Sequence, residues 1–102
     1  MISEEMLSRP PTDPEHAKDD VKLYELWKEA RDMLDIATAG EKKFDEWDSR
    51  VQSFLDPAER EFCLSPYDGL DMRYLDYRSV SRMNHLTKIL LNRRGLNKQD
   101  FG

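Results

Sequence analysis

Along this chain apolar residues recur at steps of three and four, and nothing alternates at every second position for long enough to argue a strand. That is the helical period, because residues three or four apart share one face of a helix. Leu23, Leu26, Ala30, Met33 and Ala37 form the first such stripe; Trp27 and Leu34 widen it, while Tyr24 and Ile36 fall outside. Asp13-Pro14-Glu15 precedes it. Asp can accept a bond from free backbone amides, proline is preorganised for the first helical position, and Glu suits the positive end of the dipole. The pattern predicts a first helix from this start to about Ala39, with Gly40 at the left-handed position beyond its end.

Phe44, Trp47, Val51 and Phe54 predict a second helix over about 41–55. Asp56-Pro57 repeats the cap-plus-proline start and predicts a short helix over 57–64, ended by Ser65-Pro66 and a turn at Tyr67-Asp68-Gly69. Met72, Leu75, Met83, Leu86 and Leu90, with the small Ser79 among them, predict a last helix capped by Asp71 and reaching about Arg94, before Gly95. The expected fold class is therefore all-α: a small antiparallel bundle of three main helices plus one short helix, with flexible termini. The expected organisation is a flexible N-terminal arm over 1–13, a bundle domain over 14–95 and a C-terminal tail over 96–102.

Composition sharpens this picture. Only 38% of residues are apolar and 36% are charged, which suits helices with one buried stripe and wide solvated faces rather than a thick sheet core. Charge is uneven: residues 1–60 carry sixteen acids and nine bases, residues 61–102 five acids and seven bases. Either the two halves neutralise each other across the bundle, or they offer docking faces of opposite sign. A core built from about 80 ordered residues is marginal alone, which favours a larger partner or self-association. The seams run close enough to coiled-coil spacing for two copies to pack as a homo-oligomer. The start lacks a secretory pattern, and no apolar run nears the roughly 18 residues of a membrane span. The chain reads as cytoplasmic, with no membrane.

Several chemistries find no residues to carry them. A single cysteine, Cys63, leaves no disulfide within the chain, and with two distant histidines it supplies no zinc site. The glycines stand at 40, 69, 95 and 102, so neither standard phosphate loop can form. Cys63 and His85 could meet as nucleophile and base, but a cysteine between Phe62 and Leu64 reads better as a small core residue. Glu25, Glu29 and Asp32 share one helical face, as do Glu41, Asp45 and Asp48. Lysines and Arg31 lie interspersed, so these ladders read as solvated acidic surface rather than as a cation site or acid–base pair. The expectation is no enzyme, no cofactor and no metal.

One segment stands apart. SPYDGLDMRYLDYRSVSRMNHL, residues 65–86, holds three of the four tyrosines, three arginines and a histidine. On a helical wheel Tyr74, Arg78, His85 and Asn92 fall opposite the apolar stripe, flanked by Tyr77, Lys88 and Arg82. These seven are the candidate partner-binding residues. Arg78 and Arg82, four residues apart, repel each other, so negative charge belongs nearby; the acidic first or second helix is the simplest source. Arg73 with Tyr77, and Tyr74 with Arg78, have the spacing of cation–π pairs. The face is therefore either a docking surface or a polar side tied to its own neighbours.

The function expected from these residues is that of a small non-enzymatic accessory protein, an adaptor, assembly factor or inhibitor, that binds a larger protein partner. One variant is a phage-type inhibitor that meets a host nucleic-acid-handling enzyme through its acidic ladders. The alternative is nucleic-acid or nucleotide binding through the Arg/Tyr face and Arg93-Arg94-Gly95, against which the acidic net charge weighs.

Overall fold

A computed structural model describes residues 7, 10–12, 15, 17–32, 40–65, 69, 71 and 73–95. Among them the chain is all-α: helices α1 (Ala17–Asp32), α2 (Glu41–Ser53), α3 (Pro57–Leu64) and α4 (Leu75–Arg93), with no strand. Several expectations lie outside the described residues: the helix start at Asp13-Pro14, the stripe positions Met33, Leu34 and Ala37, the turn at Tyr67-Asp68, Met72, and the tail over 96–102.

Several local signals hold and others do not. Gly40 takes φ 100° and ψ 158° ahead of α2, a region essentially closed to residues with a Cβ but not the left-handed helix-end conformation expected of it; the expected helix end near Ala39 lies outside the described residues. Gly95 takes φ 71° after α4, as a residue just past a helix end does. In α3, Glu59 reaches back so that Oε1 accepts the Asp56 backbone N–H at 3.0 Å, one half of a capping box. The start of α4 differs from expectation. Asp71 does not cap it; its carboxylate is taken by the Arg73 backbone N–H at 3.0 Å and by the Arg73 guanidinium at 2.7 Å. Tyr74 is the N-cap instead, its carbonyl accepting the Arg78 N–H at 3.0 Å.

Helix α4 is the hub, in contact with α1, α2 and α3, while α1 also packs on α2. Leu23, Leu26, Trp27, Phe44, Trp47, Val51, Cys63, Leu86, Ile89 and Leu90 make the core. Both tryptophans are buried with their one donor satisfied, as burial demands. Trp47 Nε1 donates to the Leu26 carbonyl at 2.8 Å, and Trp27 Nε1 to Thr87 Oγ1 at 2.8 Å. They pin α1 to α2 and to α4.

The end of α4 is closed by charge. Arg93 donates from Nε to Glu59 Oε2 at 2.9 Å and from Nη2 to Glu59 Oε1 at 2.6 Å. Arg94 donates to both oxygens of Asp20, to the Leu90 carbonyl at 2.8 Å and to the Leu7 carbonyl at 2.9 Å. All four side chains are buried. Burial opposes the Arg93 charge, yet Glu59's hydrogen bonds and charge raise its pKa further. Within the expected arm over 1–13, Leu7 and Thr12 are anchored to the rest of the chain. Leu7 is fully buried, and Thr12 donates to the Arg93 carbonyl from its backbone N–H at 2.8 Å and from Oγ1 at 3.1 Å. The last carbonyls of a helix lack internal donors, and Thr12 serves one of them. No helix among the described residues is long and apolar enough to cross a membrane.

Candidate functional site

The polar face of α4 divides in two. Its arginines turn to α2: Arg78 Nη2 meets Glu41 Oε1 at 3.0 Å, and Arg82 Nε meets Asp48 Oδ1 at 3.1 Å. The negative charge that two adjacent arginines call for thus comes from the second helix of the same chain. Arg78 also lies over the Phe44 ring, 5.8 Å from its centroid, rather than over the tyrosine four residues earlier. Arg73 is held by Asp71. The cation–π spacings read from the sequence lose to a carboxylate two residues away for Arg73, and for Arg78 to a carboxylate and a core aromatic that the fold brings into reach.

His85 corrects the helical wheel. It is buried, with Nδ1 3.2 Å from the Cys63 carbonyl and its ring 4.5 Å from that of Phe62. A wheel with one buried side supposes one packing partner; α4 has three, and α3 covers the side that carries His85. Burial lowers the His85 pKa, against the pull of the Cys63 carbonyl and with the help of the Lys88 and Arg82 charges. Lys88 and Asn92 are half-buried.

Cys63 is the small core residue expected. It is fully buried, and Gln52 Nε2 approaches its sulfur at 3.5 Å. Burial pushes the thiol up to about 11. His85 addresses the carbonyl of Cys63 and not its sulfur, so the two are not arranged as base and nucleophile.

The acidic ladders are partly spent. Glu41 and Asp48 pair with α4, while Asp45 is exposed. On α1, Glu25 is exposed and Glu29 takes Arg50 at 3.1 Å; the side chain of Asp32 lies outside the described residues. No group of three or more metal-ligating side chains assembles among the described residues. Arg93 and Arg94, expected as cations for nucleic acid, are instead sealed against Glu59 and Asp20. Both continue the apolar stripe of α4 by one helical step beyond Leu90, a signal that their charge hid.

What stays open is the first part of α4. Tyr74, Tyr77 and Val80, at three-residue steps, are 57%, 43% and 45% exposed. The tyrosine rings meet edge to face, centroids 5.8 Å apart and planes at 81°. With Asp76 they line a cavity of about 300 Å³. A wheel read for charge and aromatic rings does not single out Val80 or Asp76, although the step from Tyr74 through Tyr77 leads to Val80. Comparison of the chain with known protein families, curated proteins and solved structures finds no match.

Proposed function

We propose that this chain is a non-enzymatic helical accessory protein that acts by docking a larger protein partner through the tyrosine edge at the start of α4. The observation that carries the reading is the exposure of Tyr74, Tyr77 and Val80. Every other described aromatic side chain is buried or half-buried. Tyrosine and arginine are enriched at protein contact surfaces, where a ring contributes large area at little entropic cost. The two rings already pack edge to face on each other, and Arg78 on the same helix is fixed by Glu41 and Phe44. The non-enzymatic part of the reading draws on Cys63, sealed and with a raised pKa, and on carboxylates that face solvent or arginines. Nucleic acid is the weaker reading, since Arg78, Arg82, Arg93 and Arg94 each already hold a carboxylate.

The test is the non-denaturing mass of the untagged protein, purified gently from its own cells, beside a Tyr74→Ala/Tyr77→Ala variant. The expected result is a complex whose mass is not a whole multiple of 12.1 kDa and which the double variant loses while its circular dichroism is unchanged. A complex that survives the double substitution would refute the tyrosine edge. A clean monomer or homo-oligomer in the parent would refute the partner.

A further inference from the structure

The notch at the start of α4 has a chemistry narrower than that of a general apolar contact. Two tyrosine rings nearly at right angles form a corner, and the acidic residue Asp76 lines the same cavity of about 300 Å³. The neighbouring cations are already engaged: Arg73 holds Asp71 through both carboxylate oxygens, and Arg78 holds Glu41. Among the described residues the Asp76 carboxylate has no cation of its own. Ring faces carry negative quadrupole density, so an unmatched carboxylate and two exposed rings all favour a positive guest.

Resting on the protein-docking reading, we propose that the Tyr74–Asp76–Tyr77 notch receives an arginine side chain presented by the protein partner. A guanidinium can lie flat on a tyrosine ring while its edge forks onto a carboxylate, and it sheds water more readily than an ammonium. An aliphatic side chain would cover Asp76 without satisfying it. An acidic one would be repelled. The free amides at the start of α4 oppose a cation, but with about half an elementary charge against the full charge of Asp76.

The experiment is an NMR titration of the full chain with capped Gly-Arg-Gly. Gly-Lys-Gly, Gly-citrulline-Gly and Gly-Leu-Gly are run beside it. The arginine peptide is expected to give saturable shifts confined to Tyr74, Asp76 and Tyr77. Citrulline, nearly the same shape without the charge, should bind about tenfold more weakly, as should the arginine peptide on Asp76→Asn or Tyr77→Leu. No saturable shift, or equal shifts from citrulline or leucine, would overturn the proposal; equal shifts from lysine would overturn the choice of arginine. These readouts need no partner, so they separate two failures. A cellular complex that Asp76→Asn leaves intact, with no arginine shifts, removes the notch and keeps the docking reading. Arginine shifts in a chain that retains no partner do the reverse.

Discussion

Reversing the charge of Arg82 should unfold this protein far more than reversing that of Arg78, although the two residues are four apart on one helix. The Arg82–Asp48 pair is nearly enclosed, with 11% and 16% of the side chains exposed, and Arg82 Nη1 also reaches the Cys63 carbonyl at 3.4 Å. Glu41, the partner of Arg78, is 66% exposed. A charge-assisted hydrogen bond contributes about 1.5–3 kcal/mol, whereas an exposed pair contributes about 0–1. Arg82→Glu loses that bond and sets a second carboxylate against Asp48, a repulsion of up to about 4 kcal/mol at an effective dielectric of 20 and 4 Å, reduced by rotation of the new side chain. The expected loss is about 3–5 kcal/mol for Arg82→Glu and about 1 for Arg78→Glu. Against the roughly 5–15 kcal/mol total of a small domain, the first is severe and the second tolerable. Urea unfolding followed by far-ultraviolet circular dichroism reads both. The swap Arg82→Glu/Asp48→Arg should recover at least half the loss, because it restores the pair in reverse. Two results would refute the reasoning: Arg82→Glu within about 1 kcal/mol of the parent, or a swap no better than the single change.

Two further predictions concern buried groups on the α3–α4 seam. His85 has a folded-state pKa below its ordinary 6.5, so below that pH the unfolded chain binds the proton first. Stability should be full above about 6.5 and fall as pH drops toward the folded value. His85→Gln should flatten the urea midpoint between about pH 7 and 5 relative to the parent, and an equally steep parent and variant would contradict this. With its thiol pushed up to about 11 and fully buried, Cys63 should alkylate with iodoacetamide at least about 100-fold more slowly than a free thiol at mildly alkaline pH. Unfolding in urea should abolish that protection, and fast labelling of the native chain would show the seam to be open.

Much of the local structure was legible because it depends on neighbours in sequence. The short helix α3 matches its cap-proline signal at both ends, and α2 ends at Ser53, two residues short of expectation. Gly95 takes the positive φ its position past α4 implies, whereas Gly40, also at positive φ, has a ψ of 158° and not the left-handed turn expected. The crowding of Arg78 and Arg82 announced acidic neighbours, and α2 supplies them. Less legible were the charged residues that close the fold. Asp20 stands one helical step before Leu23, and Arg93 and Arg94 stand three and four after Leu90, all in the line of an apolar stripe. Each reads as the point where the stripe ends and water begins, unless its partner is known. Those partners lie 74 and 34 residues away.

The sequence by itself determined that this chain is helical and where three of its helices start or stop. Period, caps and glycines act over four or five residues, so they can be read without a fold. Only the tertiary structure decided which polar residues face water. By setting α4 among three other helices it buried His85, Arg93 and Arg94 and left Tyr74 and Tyr77 outside. Whether a charge is solvated or sealed depends on what the rest of the chain lays over it, and a helical wheel holds no record of that.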